Sequence, residues 1–89
     1  MLQVKVTAIL ELATILQGRE HFLALPAGTR IYELLAELEK KYGRAMCLYN
    51  QKHQYTLLLN GRNITFLQNL DTELHDGDEL FFLPMVSGG

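Results

Sequence analysis

Leu2, Val4 and Val6 alternate with Gln3, Lys5 and Thr7, the two-residue period of a strand that buries one face. From Ile9 to Gln17 the period changes. Ile9, Leu12, Ile15 and Leu16 fall near helical spacing ahead of Gly18, so this segment reads as either a short turn of helix or a wide loop. His21 to Leu25 predicts a second strand ended by Pro26, antiparallel to the first if Gly18 to Glu20 turns the chain. Ile31, Leu34, Leu35, Leu38 and Tyr42 then recur at the spacing of an amphipathic helix, with Thr29 as N-cap and Gly43 as its stop. Glu33, Glu37 and Lys41 occupy the other, solvated face. Arg44 to Gln54 carries little pattern and reads as a loop.

Tyr55 to Leu59 predicts a third strand closed by Asn60-Gly61, a dipeptide that accepts positive φ, with Ile64 and Phe66 beginning the return. Asp76-Gly77-Asp78 is a second turn signal. It admits a last strand, Glu79 to Leu83, which stops at Pro84 because proline has no N–H for a ladder. The order β, β, α, β, β predicts an α+β domain: a mixed sheet with one main helix on one face and the first and last strands parallel in the centre. One helix cannot cover both faces of such a sheet. Alternation sends Leu80 and Phe82 to one face and Phe81 and Leu83 to the other, while Leu57 and Leu59 oppose Leu58. Leu58, Phe81 and Leu83 therefore form an apolar patch that is either an exposed docking surface or is covered by Ile9 to Gln17.

Composition narrows the classes of function. The chain has 89 residues, 48% of them hydrophobic, enough for one compact domain. Eight Lys and Arg are scattered among ten Asp and Glu, without the basic stripe that phosphate-backbone binding needs, so nucleic acid is not an expected partner. The longest apolar runs fall far short of a membrane span, no export signal opens the chain, and Cys47 is the single cysteine; these features fit a cytoplasmic protein with no membrane partner. Cys47, His21, His53 and His75 are dispersed without ligand spacing, so no metal site is expected. No phosphate-binding glycine loop and no nucleophile elbow occurs. Asp76-Gly77-Asp78-Glu79 lacks the further ligands of a calcium loop.

What remains is the tail. Residues 1–84 are expected to form the domain and residues 85–89, Met85-Val86-Ser87-Gly88-Gly89, a flexible extension. Extended, five residues reach about 17 Å, and two glycines without Cβ can thread a channel that any side chain would block. A carboxylate is a poor electrophile, so chemistry at this terminus requires activation, most simply as an acyl-adenylate made from ATP by a partner enzyme. Taken alone, Gly88-Gly89 points more to an ordinary frayed end, which is how most chain termini behave.

The run Leu70-Asp71-Thr72-Glu73-Leu74-His75-Asp76-Gly77-Asp78-Glu79-Leu80, leading to Phe82-Leu83-Pro84-Met85-Val86-Ser87-Gly88-Gly89 and preceded by Asn60-Gly61, resembles the molybdopterin synthase small subunit. Leu25-Pro26 and the helix residues Thr29, Glu33, Leu34, Leu35 and Leu38 are similar to that family as well. The resemblance covers nearly the whole chain and implies a ubiquitin-like β-grasp fold and a sulfur carrier that is not itself an enzyme, has no bound cofactor, and relies mainly on its partner for catalytic groups. It implies that a ubiquitin-activating-type enzyme uses ATP to adenylate the Gly89 carboxylate, which becomes a thiocarboxylate. A larger synthase subunit would then receive the tail and pass the sulfur to a pyranopterin precursor of the molybdenum cofactor. Gly88 and Gly89 would be the reacting arm, and Leu58, Phe81, Leu83, Pro84, Met85, Val86 and Ser87 the partner-binding strip. Family tails carry two consecutive prolines before the valine, whereas here Pro84 is followed by Met85. Other readings within reach of the sequence are a thiamine-thiazole sulfur carrier, a modifier conjugated to lysines through Gly89, and an interaction module that uses only the patch.

Overall fold

A computed structural model describes residues 1–52 and 55–84, with side chains left out of account for 49–52. Along the described chain run β1 (Leu2–Ala8), α1 (Leu10–Ile15), β2 (Glu20–Leu25), α2 (Ile31–Tyr42), α3 (Arg44–Lys52), β3 (Tyr55–Leu59) and β4 (Arg62–Asn63), followed by two single 3-10 turns, Ile64–Phe66 and Asn69–Asp71, and by β5 (Glu79–Pro84). The strands form one mixed sheet in the order β2-β1-β5-β3-β4. β1 and β5 run parallel at its centre, from Lys5 beside Glu79 to Ala8 beside Phe82, and every other pairing is antiparallel.

The period-2 pattern of the strands decides what is buried. Val4, Val6 and Ala8 of β1, Leu57 and Leu59 of β3, and Leu80 and Phe82 of β5 point to one face, where Ile31, Leu34 and Leu38 of α2 meet them. Burying these side chains is the main source of stability, about 25 cal/mol for each Å² of apolar surface removed from water. Leu12 and Leu16 belong to this same core, and α1 packs against α3. Ile9 to Gln17 thus contains a short helix whose apolar side chains join the core on the α2 side of the sheet.

Three expectations need correction. Arg44 to Lys52 is helical: Gly43 takes φ +70°, ends α2 with its N–H on the Glu39 carbonyl, and at once offers its own carbonyl to the Cys47 N–H. Met46 anchors the new helix in the core. The N-cap of α2 is Arg30, not Thr29. Thr29 is buried, its hydroxyl donates to the Pro26 carbonyl at 2.7 Å and its carbonyl accepts from the Leu74 N–H, so it is occupied before the helix begins; the Glu33 carboxylate caps the Arg30 N–H instead, at 2.9 Å. The return from the Asn60-Gly61 turn is only Arg62–Asn63, because the Asn63 side chain accepts from both the Thr65 N–H and the Thr65 hydroxyl at 2.9 Å, curling Ile64–Phe66 into a 3-10 turn. No helix among the described residues is long and apolar enough to cross a membrane.

Candidate functional site at the root of the tail

β5 carries the chain towards its tail, and both its ends are fixed by identifiable contacts. At its start, Asn60 (φ +52°) and Gly61 (φ +83°) make the tight turn that follows β3, and the Asn60 side chain reaches across to the other turn. Its Oδ1 accepts from the Glu79 N–H at 2.9 Å and its Nδ2 donates to Asp78 Oδ1 at 2.9 Å. Asp78 Oδ2 accepts from the His75 N–H, Asp76 Oδ1 accepts from the Gln3 N–H, both at 2.8 Å, and the Gly77 N–H donates to the Gln3 carbonyl. The acidic triplet is therefore a turn whose Asp76 and Asp78 carboxylates are spent on the protein's own donors.

At its finish, Phe82 is buried and its ring lies 5.1 Å from that of Tyr55, while Pro84 stands opposite Tyr55 in the β3 register. Phe81 is flanked in register by Thr7 of β1 and Leu58 of β3, and Leu83 is beside Thr56. Leu58 and Phe81 are half-buried and Leu83 is 40% exposed. None of the three is among the side chains packed on the core. They lie together on the face of the sheet opposite α2, and α1 packs on the core side instead. The predicted patch is thus brought together at the end of β5 and is open among the described residues. Thr7 Oγ1, beside Phe81, is buried without a hydrogen-bond partner among the described residues, an arrangement that folded proteins seldom leave uncompensated. Met85, Val86, Ser87, Gly88 and Gly89, expected to carry the chemistry, lie outside the described residues.

The rest of the open face is mixed. Lys5 Nζ meets Glu20 Oε2 at 3.0 Å with Glu79 in the next strand, and the Glu20 hydrogen bond, assisted by the charges of Glu20 and Glu79, raises the Lys5 pKa above its ordinary value. Phe22 stands beside Lys5 and is 65% exposed. Sequence reasoning did not single out Phe22 or Thr7, although alternation along His21 to Leu25 was the signal that placed Phe22 away from the core. His21 is structural: its Nε2 is 3.0 Å from the Gly18 carbonyl, to which it donates, and its ring packs edge-on to Tyr42. His75 lies 3.5 Å from Glu73 on the surface, and His53 is outside the described residues. No cluster of three or more His, Cys, Asp or Glu side chains suited to a metal occurs among the described residues.

With this geometry in view, comparison with known proteins is informative. The model of the ThiS family matches residues 7–89. The solution structure of small archaeal modifier protein 1 from Methanosarcina acetivorans superposes with a TM-score of 0.77 at 31% identity, covering 100% of this chain and 98% of that one. A chain in the complex of subunits 1 and 2 of molybdopterin-converting factor from Helicobacter pylori gives a TM-score of 0.64 at 27% identity, covering 99% of this chain and 100% of that one. A candidate sulfur carrier protein of Archaeoglobus fulgidus is 41% identical over 34 residues, 38% of this chain and 39% of that protein, so the match spans about two fifths of that relative's length. The mixed sheet with one main helix is the ubiquitin-like β-grasp of the structural neighbours.

Proposed function

The chain belongs to the ThiS family, and from that premise we propose that it is a ubiquitin-like sulfur carrier acting through Gly89. A ubiquitin-activating-type partner transfers AMP from ATP to the Gly89 carboxylate and releases pyrophosphate. Hydrosulfide, supplied by a sulfide-level donor, then attacks the acyl carbon, AMP leaves, and Gly89 ends in a thiocarboxylate. The chain serves as the small subunit of a molybdopterin synthase, and the larger subunit takes in the tail and supplies the groups that move sulfur onto a pyranopterin precursor. ATP is consumed by the activating partner, and no cofactor resides in the carrier.

The observation that carries this reading is the family match running through to residue 89, downstream of a central strand whose last residues are flanked by an open apolar patch. Leu58, Phe81 and Leu83, with Pro84 and the following Met85, Val86 and Ser87, form the docking strip. The neighbour from a complex of two subunits supports a partner protein. A second reading, a modifier conjugated to lysines, draws support from the 31% identity to an archaeal modifier over the whole chain.

Intact mass separates them. Incubation with the activating enzyme, ATP and a sulfur donor should add about 16 Da, the mass difference between sulfur and oxygen, to the free chain. Lysine-linked adducts in place of that species would favour the modifier. An unchanged mass with a partner of proven activity would reject both.

A further inference from the structure

The two edges of the sheet are treated differently. β4 is two residues long, Arg62–Asn63, and the Asn63 side chain then turns the backbone away, so that edge offers almost nothing to a further strand. β2 is six residues long, pairs only with β1 among the described residues, and keeps an unbroken register from Glu20 to Leu25 with no proline, lysine or bulge inside it. Its hydrogen-bonding phase follows from one contact. The Ala8 N–H donates to the Arg19 carbonyl at 2.8 Å, and hydrogen-bonded pairs alternate along an antiparallel ladder. His21, Leu23 and Leu25 therefore turn their backbone groups to β1, while Glu20, Phe22 and Ala24 turn theirs outward. The Lys5 N–H, which donates to the Asp78 carbonyl on the opposite side of β1, confirms the phase. These outward residues are all exposed, and Phe22 is the largest of them.

We propose that this edge pairs with the same edge of a second copy, antiparallel and centred on Phe22. Three outward-facing residues arranged evenly about Phe22 are their own complement. In that register Phe22 faces Phe22 and Glu20 faces Ala24 of the second copy, so every outward N–H and C=O finds a partner, an aromatic pair forms across the join, and no like charges meet. Moving the register by two residues in either direction leaves an outward residue unmatched on each chain. The two-fold axis runs perpendicular to the sheet, which places both open faces on one side and leaves Leu58, Phe81 and Leu83 of each copy uncovered. Self-pairing is thus compatible with a partner at the tail.

Sedimentation equilibrium of the full chain from micromolar to millimolar concentration tests this, with a reversible dimer as the expected result. Ala24→Pro removes an outward N–H without touching the bonds to β1, and Phe22→Lys removes the aromatic pair; each should weaken the dimer by about tenfold or more. Amide exchange on the unaltered chain provides a readout independent of how the variants fold: the amides of Glu20, Phe22 and Ala24 should slow as concentration rises, in step with dimer formation. A chain that stays monomeric throughout, a dimer unaffected by both substitutions, or slowing confined to other segments would overturn the proposal. If those three amides slowed only when the activating partner was added, the edge would belong to that partner instead.

Discussion

The two ends of β5 are held by different physics. Its start is a polar clamp in which the side chains of Asn60, Asp76 and Asp78 lock two turns together and fix where Glu79 begins. Its finish is held by burial of Phe82 against Tyr55 and by backbone pairing with β1 and β3. The clamp sets the register, and register decides faces. A slip of one residue would turn Phe82 outward and Phe81 into the core. The motif farthest from the tail thus governs how the tail root is presented, while the residues nearest the tail are left apolar and open for another protein.

The largest expected effect lies beyond the finish. Deleting Gly89, or replacing Gly88 with Trp, should reduce sulfur transfer to background while the melting temperature stays within about a degree of the parent, since surface changes away from packed features cost little. A fall of many degrees on deleting Gly89 would mean that the tail is part of the fold and would erase the distinction between finish and tail. Next in size is Phe82→Ala, which should cost about 3–5 kcal/mol in denaturant unfolding by opening a cavity under the sheet. Asn60→Ala should cost about 2 kcal/mol, through two lost hydrogen bonds and a non-glycine residue held at positive φ without its side-chain ties. If Asn60→Ala proved as costly as Phe82→Ala, the clamp would be a source of stability comparable to the core and not chiefly a setter of register.

Leu83→Asp sharpens the same comparison from the open face. Unfolding should barely change, because the side chain is already partly in water, whereas affinity for the protein that receives the tail should fall by about 2 kcal/mol or more if the residue is an anchor. Calorimetric titration against that partner reads this directly, and unchanged affinity would remove Leu83 from the docking strip.

Much of this architecture was legible before any coordinates. The order β, β, α, β, β announced the central parallel pair, and the two-residue period of β3 and β5 announced the side on which Leu58, Phe81 and Leu83 would emerge. What was not legible has a common cause: local side chains overriding the pattern. Gly43 reads as an end, yet its carbonyl also starts α3, and with Met46 the only fully buried residue of that helix whose burial is described, the apolar period is too thin to see. Ile64 and Phe66 alternate like a strand, but Asn63 captures the Thr65 backbone and bends it away. Thr29 has the chemistry of an N-cap and is engaged elsewhere. At the site, the patch could be read from alternation alone, while its openness could not, because nothing in Ile9 to Gln17 says on which side of the sheet a six-residue helix will pack.

The smallest expected effect concerns the charged tie of Lys5 beside the start of β5. Lys5 lies opposite Glu79 and bonds Glu20, and the Glu20 hydrogen bond holds its pKa above the ordinary lysine value, with the charges of Glu20 and Glu79 adding to it and partial burial working against it. Because the pKa is raised in the folded chain, the associated stabilisation is fully present below the unfolded lysine value and fades as pH rises through the folded one. At neutral pH it is therefore intact. Glu20→Gln should return the Lys5 titration, followed by NMR at its side-chain nitrogen, towards the ordinary value while leaving the melting temperature at neutral pH almost unmoved, as exposed ion pairs contribute little. It should also lose the weak dependence of stability on pH in the alkaline range. A large loss of stability in this variant would show that the charged pair, and not the neutral hydrogen bonds of Asn60, Asp76 and Asp78, is what holds the start of β5 in register.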